Sequence, residues 1–343
     1  MILAGLVLAQ EANYYRVRLL SEGTELLCTR RARLKKTGQS VYVGDKVEVV
    51  EVDWQSHRGA INLVEPRDTL LHKPPIANCT GVLVVFALSE PPFDPVQLSR
   101  FLVNIETEQL KATVCLTKAD AVCESVIQVI GKQVQSWNYA TIPVSVETQI
   151  GLAELLQVLG QGVYVLAGPS GAGKSSLLNA LRPSLDLRTG NISDRMGRGK
   201  HTTRHVELFS IGNDILVADA PGFSQLELTC KPESLANCFP EFRPHLGTCQ
   251  FRNCLHQEEP GCAIQSAHLE RYSIYRTFLE EVITHTALKQ QNTDPDAALK
   301  GQGQQRRSGK ATTIPRLASQ LRTPSRRTAK QDLRQWDGIE EDE

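Results

Sequence analysis

The chain has 343 residues, 41% of them hydrophobic and 22% charged, and its 38 Lys and Arg balance 38 Asp and Glu. This composition excludes collagen-like, coiled-coil and wholly disordered proteins, and the length predicts two or three domains. Although the total charge is balanced, three stretches of the chain carry a net charge. Residues 16–36 hold seven basic against two acidic residues (+5), residues 286–331 ten against two (+8), and the last twelve one against six (−5). Total charge therefore indicates no polyanionic partner, whereas the basic stretches leave contact with nucleic acid open.

The apolar segments are too short for a membrane protein, because none approaches the roughly 18–20 residues of a membrane span. The opening MILAGLVLAQ lacks a basic start and runs directly into Glu11, which predicts a first strand rather than a signal peptide. Nine cysteines in a chain without an export signal indicate a reducing compartment, where clustered cysteines more often bind metal than form disulfides. We expect a cytoplasmic protein with no membrane contact.

Residues 1–68 are predicted to form an all-β domain. Apolar and polar residues alternate over 14–20 and 41–53, with Gly44-Asp45 as a turn signal, so short antiparallel strands are expected. A five-stranded OB-like barrel fits this length, and such barrels commonly bind nucleic acid. Basic residues follow one strand at Arg30, Arg31, Arg33, Lys35 and Lys36. An RNA-binding barrel and a β-barrel adaptor with a solvated basic rim are equally compatible with this pattern.

Residues 69–225 are predicted to form an α/β domain, because apolar runs here alternate with helical stretches. The runs at 81–88, 112–117, 141–145, 163–168, 206–212 and 214–219 are typical of strands buried on both faces of a mostly parallel sheet. Open α/β sheets bind ligands outside the carboxyl ends of their strands, so the residues that follow these runs are the candidates for chemistry.

A phosphate-binding loop follows the strand at 163–168. GPSGAGKS at 168–175 has the Gly-x4-Gly-Lys-Ser spacing between a strand and the helical pattern SLLNAL. Backbone N–H groups of such a loop converge on phosphate oxygens, and the helix N-terminus adds a favourable dipole. We expect Lys174 to reach the β- and γ-phosphates and Ser175 to ligate Mg²⁺. A glycine-rich turn without a ligand is the alternative.

Three further segments have residue types that suit a guanine nucleotide. Asp219–Gly222 ends an apolar strand, where Asp219 could hold Mg²⁺ and Gly222 could contact a γ-phosphate. Thr117–Asp120 ends another strand, and Asp120 could accept two hydrogen bonds from guanine that adenine cannot donate. Ser145, after the next strand, would supply a second contact to the base.

The segment 197–205, GRGKHTTRH, is predicted to be a switch. It is glycine-rich, and a threonine hydroxyl from Thr202 or Thr203 could complete Mg²⁺ coordination when a γ-phosphate is present. Hydrolysis of the nucleotide would then release the segment.

The base-reading segments precede the phosphate-binding segments, whereas an ordinary GTPase has them in the reverse order. A doubly wound sheet can be cut in one connection and rejoined elsewhere, so this order suggests a circular permutation. The permuted order, the barrel ahead of it and a Cys/His segment behind it resemble the RsgA (YjeQ/EngC) family of small-ribosomal-subunit-dependent GTPases over about residues 1–285.

The resemblance implies an OB-fold domain, a permuted GTPase domain and a zinc domain that act in late assembly of the 30S subunit. Such proteins bind the subunit and its 16S rRNA, hydrolyse GTP when the subunit stimulates them, and then leave. It also implies a GTP site formed by Thr117, Lys118, Ala119, Asp120, Ser145, Gly168, Pro169, Ser170, Gly171, Ala172, Gly173, Lys174, Ser175, Ser176, Asp219 and Gly222. Mg²⁺ would be held by Ser175, Thr202 or Thr203, and Asp219, with Thr203 favoured.

Two positions depart from ordinary GTPase patterns. The family's base motif usually opens with Asn, but Thr117 stands there, and its hydroxyl replaces only part of an amide's bonding. Guanine affinity is therefore expected to fall while Asp120 still sets base identity. Phe223 follows the Asp219 motif where Ras-like enzymes have a water-orienting Gln. The family resemblance gives that role to a histidine just before the switch threonines, here His201, so the expected catalytic residues are His201, Lys174 and Thr203.

A metal site is predicted at residues 249–262. Cys249, Cys254, His256 and Cys262 give the spacing Cys-x4-Cys-x-His-x5-Cys, a full tetrahedral set for one structural Zn²⁺. A small loop-rich segment lacks enough core to fold alone, so the metal would supply stability. We expect the zinc domain to span 226–288, and a disordered basic tail with an acidic end to span 289–343.

Two other functions remain open from the sequence. A nucleotide kinase or an ATPase could use the same phosphate loop, but neither explains the Thr117–Asp120 segment. A nucleic-acid-binding adaptor could keep the nucleotide site for structure alone. We expect a monomer that binds GTP and GDP.

Overall fold

The computed structural model describes residues 2–36, 38–72, 74–183, 206–212, 214–219 and 227–293, and two short strands at 299–301 and 313–315. Residues 1–279 form one compact unit, and residues 280–343 form a second. Among the described residues, no helix combines the length and the apolar character that a membrane crossing requires.

Five N-terminal strands close into a barrel. They are β1 (Leu3–Glu11), β2 (Tyr14–Leu19), β3 (Glu25–Arg30), β4 (Lys46–Asp53) and β5 (Arg58–Val64), with helix α1 (Ala32–Lys36) between β3 and β4. The closed order is β1-β2-β3-β5-β4, and only the β3–β5 pair of this barrel is parallel. Alternate side chains such as Val17, Val47 and Val49 fill the interior. The predicted OB-like barrel is confirmed.

A hairpin of β6 (Leu70–His72) and β7 (Pro75–Ala77) leads into a six-stranded sheet with helices between its strands. These elements are β8 (Cys79–Ala87), α2 (Pro95–Thr107), β9 (Lys111–Thr117), α3 (Glu124–Ser136), β10 (Ala140–Pro143), α4 (Leu152–Leu159), β11 (Gly162–Ala167), α5 (Lys174–Leu181), β12 (Leu208–Gly212) and β13 (Ile215–Asp219). The order is β10-β9-β8-β11-β13-β12, parallel throughout except for the last pair.

The sheet is buried on both faces, as its continuous apolar strands predict. In the central strand β8, Val82, Val84 and Phe86 pack into one core cluster, while Leu83 and Val85 face a second. The first cluster also contains Leu6, Leu8 and Val43 of the barrel region, so the barrel and the sheet share apolar contacts. Burial of each such side chain contributes roughly 1.5–3 kcal/mol.

The remaining part of the first unit carries the Cys/His segment. It contains α6 (Pro232–Leu235), 3-10 turns at Ala236–Cys238 and Pro240–His245, α7 (Ala263–Ser266) and the start of α8 (Tyr272–Thr293). Arg271 is fully buried and makes a bidentate ion pair with Glu241, with Nε–Oε1 and Nη2–Oε2 distances of 2.6 and 2.5 Å. Its guanidinium also lies over the rings of Trp137 and Phe239, 4.7 Å from each centroid. This arginine therefore joins the C-terminal segment to the sheet domain.

The second unit has more regular structure than the predicted disordered tail at 289–343. Helix α8 continues to Thr293, because Ala287, Leu288, Lys289 and the glutamines after them are good helix formers and Pro295 comes later. Strands β14 (Leu299–Gly301) and β15 (Thr313–Pro315) form an antiparallel pair. The expectation of disorder is wrong for these residues.

Candidate nucleotide pocket and metal centre

The carboxyl ends of five parallel strands meet at one edge of the sheet. Strand β11, which leads into the phosphate loop, lies between β8 and β13. Leu166 of β11 is opposite Asp219 of β13, and Ala87 of β8 is opposite Thr117 of β9. The fold therefore brings the strand end at Asp219, the start of the phosphate loop and the strand end at Thr117 to one side of the sheet, although they are far apart in sequence.

The phosphate loop turns sharply between β11 and α5 because three of its glycines have positive φ. Gly168, Gly171 and Gly173 have φ values of 137°, 78° and 87°. A Cβ atom on Gly168 would lie only 2.1 Å from the carbonyl oxygen of Val85, so this position requires glycine. The Lys174 ammonium donates to the carbonyl oxygens of Gly168 and Pro169, at 2.8 and 2.6 Å. The lysine therefore folds back over the loop that it follows, as a phosphate-binding lysine must.

One buried hydrogen bond connects the expected base-reading segment to the phosphate loop. The Thr117 hydroxyl lies 2.6 Å from the carbonyl oxygen of Ala172 and 3.2 Å from that of Phe86. Thr117 is 2% exposed and Ala172 is fully buried, so this polar contact is shielded from water. The hydroxyl of Thr117 is thus directed at the protein backbone, where it fixes the loop.

The residues after Thr117 form a short turn that is held on two sides. Lys118 has a left-handed backbone with a φ of 58°, and its ammonium donates to the carbonyl oxygen of Glu90. The Ala119 amide donates to the carbonyl oxygen of Val144 at 3.2 Å, which ties this turn to the strand end before Ser145. Asp120 has an exposed side chain. Its carboxylate is therefore accessible to a ligand at this edge of the sheet.

Ser145, the second predicted contact to the base, is held within a short loop. The residue is fully buried, and its hydroxyl accepts a hydrogen bond from the Thr148 amide at 3.1 Å. Its own amide donates to the Ile150 carbonyl at 3.0 Å. Gly151 closes this loop with a φ of 77°, where a Cβ atom would lie 2.1 Å from the Pro143 carbonyl oxygen. The Ser145 hydroxyl shapes the loop beside Asp120.

Sequence reasoning missed the segment that follows β8. Glu90 accepts the Lys118 hydrogen bond, and Pro91 lies 3.4 Å from the position that a Cβ atom on Gly171 would take. This segment therefore contacts both the turn expected to read the base and the phosphate loop. The sequence did contain one signal for this segment. It follows a buried central strand, and open sheets bind ligands just beyond the carboxyl ends of such strands.

Several expected site residues lie outside the part of the chain that the structure describes. They are His201, Thr202, Thr203 and Gly222, whereas Asp219 is placed by its backbone at the end of β13. Ser175 and Ser176 lie in the first turn of α5, half-buried beside the loop.

The four predicted metal ligands converge on one point. One ligand atom from each of Cys249, Cys254, His256 and Cys262 can be chosen so that all four lie within 4.8 Å of one another. The His256 Nδ1 is 3.5 Å from the sulfurs of Cys249 and Cys262. Tetrahedral zinc with the usual bond lengths requires an S···N separation of about 3.5 Å. The donor set and its spacing therefore fit one zinc ion.

The loop that carries these ligands is held by hydrogen bonds from its own chain and from α8. Glu259 accepts from the amides of Leu255 and Gln257, at 2.8 and 2.7 Å. Tyr272 and Tyr275 donate from α8 to carbonyl oxygens of the loop, at His256 and Leu255 respectively. These contacts bring the four side chains together, which favours a structural rather than a catalytic ion.

Comparisons with known proteins agree with this architecture. The sequence pattern of the family described as "RsgA GTPase" matches residues 64–229. A "small ribosomal subunit biogenesis GTPase RsgA" from Trichormus variabilis is 43% identical, over 96% of this chain and 96% of its own length. A relative of the same description from Microcystis aeruginosa is 44% identical, over 98% of this chain and 94% of its own. The chain belongs to the RsgA GTPase family.

Solved structures of similar proteins support the same assignment. The crystal structure of YjeQ from Thermotoga maritima matches with a TM-score of 0.70 and 28% identity, over 82% of this chain and 99% of that one. YloQ, described as a circularly permuted GTPase, matches with a TM-score of 0.70 and 31% identity, over 83% and 96%. The predicted circular permutation is confirmed, and RsgA membership makes this chain a GTP-hydrolysing enzyme.

Proposed function

We propose that this RsgA-family GTPase acts in maturation of the small (30S) ribosomal subunit, that the subunit stimulates GTP hydrolysis, and that hydrolysis is coupled to release. The relatives that match almost the whole chain are described as small ribosomal subunit biogenesis GTPases, which supports the process. We further propose a cytoplasmic monomer that contacts 16S rRNA. The observation that supports the nucleotide site is the hydrogen bond from Thr117 to Ala172, because it holds the expected base-reading segment against the phosphate loop.

The proposed GTP site runs along the carboxyl edge of the sheet. The backbone of the loop from Gly168 to Ser176 would hold the phosphates, with Lys174 as the cation that reaches the β- and γ-phosphates. Asp120 would read guanine, with the turn from Thr117 to Ala119 and the Ser145 loop shaping the base pocket around it. A site with such polar complementarity discriminates against the wrong base by up to roughly 10⁴–10⁵, because adenine would leave the carboxylate unpaired.

Hydrolysis needs a divalent cation and an oriented water. Ser175 and Asp219 stand on adjacent segments, since Asp219 is opposite Leu166 at the end of β11, and we assign both to Mg²⁺ together with Thr203 or Thr202. A bound Mg²⁺ supplies charge neutralisation at the β- and γ-phosphates. Lys174 would stabilise the charge that develops on the transferred group, and His201 would orient the attacking water. Contact with the ribosomal subunit would bring His201 to the site.

The Cys/His cluster is proposed to hold one structural Zn²⁺. All four positions are filled by protein donors, which leaves no open coordination site for chemistry. Burial lowers the pKa of His256, so its imidazole stays neutral at physiological pH, the form that binds a metal.

The barrel is the proposed surface for rRNA. Trp54 lies in the turn between β4 and β5 and is 45% exposed, and the exposed Arg58 begins β5 after the same turn. Exposed aromatic rings suit base stacking, and exposed arginines suit phosphate contact. Arg31 forms an exposed ion pair with Glu51, and such pairs are weak enough to exchange for phosphate.

The decisive experiment compares GTP turnover of the full chain alone, with purified 30S subunits and with 50S subunits. We expect stimulation by 30S subunits only, and loss of turnover in Lys174→Ala. A competition assay with GDP and ADP distinguishes a GTPase from the other candidate functions. At a guanine site, the affinity for GDP should exceed the affinity for ADP by orders of magnitude. Equal competition would favour a kinase or an ATPase. Guanine-specific binding without turnover, at any level of 30S subunits, would favour an adaptor.

A further inference from the structure

Two cysteines outside the metal cluster line a cavity between α2 and the segment that follows β13. Cys230 and Cys238 are 9% and 5% exposed, and both border a space of about 600 Å³. Glu106 and Thr107 of α2, with Ser234 and Arg243, also line the cavity. These thiols are therefore buried in the protein, yet a small molecule in the cavity can reach them. Neither belongs to the nucleotide pocket or to the metal centre.

The two thiols interact directly with each other. The two side chains are close enough to affect each other's ionisation, and the Thr107 hydroxyl lies 3.6 Å from the Cys238 sulfur. The Cys238 sulfur is also 3.6 Å from the carbonyl oxygen of Ser234, one helical turn earlier. Both cysteines are reduced in this structure.

The environment of the pair favours one thiolate and one thiol. The contact with Cys230 lowers the pKa of the Cys238 thiol against the opposing effect of burial, with smaller contributions from Thr107 and Arg243, while the same contact raises the pKa of Cys230. In contrast, burial raises the pKa of Cys28 and Cys115 to about 12. A thiolate beside a protonated partner is the arrangement found in reactive cysteine pairs.

We propose that Cys230 and Cys238 form a reversible intramolecular disulfide, with a small or protein disulfide such as oxidised glutathione as the oxidant. The Cys238 thiolate attacks one sulfur of the oxidant, so the oxidant's S–S bond breaks and one thiolate leaves. The Cys230 thiol then loses its proton and attacks the Cys238 sulfur in the mixed disulfide, which expels the second thiolate. Two protein thiols are oxidised, and the oxidant takes up two electrons and two protons to become two thiols.

The bond would close a short loop that packs against the end of α2. Cys230 and Cys238 are eight residues apart, and Cys238 lies in the 3-10 turn that contacts Thr107 at the end of α2. Arg243 on the next turn pairs with Glu106 of the same helix. Disulfides in reducing compartments are usually transient and redox-sensing, so a bond here would make the contact of this loop with α2 dependent on redox state.

The test is a disulfide map of the metal-loaded full chain after incubation with oxidised glutathione. Free thiols are alkylated first, and the chain is cut after glutamate, which separates residues 228–233 from residues 234–241 at Glu233. We expect these two peptides to remain linked in most molecules and to separate on reduction. The link should disappear in both Cys230→Ser and Cys238→Ser, and it should persist in Cys123→Ser and Cys79→Ser as matched controls.

Other outcomes would overturn the proposal. They are the two peptides remaining unlinked in the wild-type chain after prolonged oxidation, or a stable glutathione adduct on Cys238 that does not pass to Cys230. The wild-type map alone decides between these outcomes, so the test stands even where a variant fails to fold. Metal content measured on the same sample shows whether the Cys/His cluster stayed intact, and the map does not depend on GTP hydrolysis.

Discussion

The hydrogen bond between Thr117 and Ala172 predicts that nucleotide affinity depends on a residue that does not need to touch the nucleotide. Thr117→Val keeps the shape of the side chain and removes only the hydroxyl, so the buried Ala172 carbonyl loses its partner at 2.6 Å. Leaving such a group unpaired costs about 1–3 kcal/mol. If the loss destabilises the phosphate-binding conformation of the loop by this amount, the Kd for GDP rises by about 5- to 150-fold.

Equilibrium titration with a fluorescent GDP measures this change directly. Thr117→Ser should restore binding to near the wild-type level, since it returns the hydroxyl. Thr141→Val is the matched control: its hydroxyl bonds to the Tyr139 carbonyl at 3.2 Å, on β10 beside β9, and the substitution should leave affinity within about twofold. The preference for GDP over ADP should stay unchanged in Thr117→Val and collapse in Asp120→Ala.

The reasoning would be refuted by a Thr117→Val protein that binds GDP as tightly as the wild-type chain. It would also be refuted if Thr117→Val lost base preference while keeping affinity for the phosphates, because that result would place the hydroxyl against the base rather than against the loop.

Three further predictions concern stability, metal and catalysis. Arg271→Met leaves Glu241 buried without its partner and should lower the free energy of unfolding by about 3–5 kcal/mol in urea titrations; combining it with Glu241→Gln should recover part of that loss. The purified chain should contain about one equivalent of zinc, which Cys254→Ser releases and Cys79→Ser retains; metal analysis that finds none would exclude the site. His201→Ala should abolish most of the 30S-stimulated GTPase activity, and a rate within about threefold of wild type would remove His201 from catalysis.

Local patterns were sufficient to predict much of this fold. The apolar runs located the strands to within a few residues, because strands buried on both faces are continuous in sequence. The phosphate loop and the Cys/His spacing were also recognisable, since each site is built from fewer than fifteen consecutive residues. The circularly permuted order of the motifs was also predictable, because the order of motifs along the chain is a property of the sequence itself.

Contacts between distant segments were not predictable in the same way. Thr117 was expected to replace only part of the hydrogen bonding of an asparagine at the base. Its hydroxyl instead bonds to a backbone carbonyl oxygen 55 residues away in the sequence. The Arg271–Glu241 pair is equally hidden, because a lone arginine before a helix gives no sign that rings from other elements surround it. Both cases depend on which strands become neighbours, and that choice is made by the packing of the whole domain.

The surroundings of Arg271 explain how the Cys/His segment is held beside the sheet. Trp137 and Tyr139, whose rings contact Arg271, lead directly into β10, and Ser145 begins the expected base loop just after β10 ends. The four-residue strand β10 thus separates the contact with Arg271 from the loop at Ser145. Because Arg271 also pairs with Glu241, the same contacts hold the Cys/His segment against the residues that lead into β10.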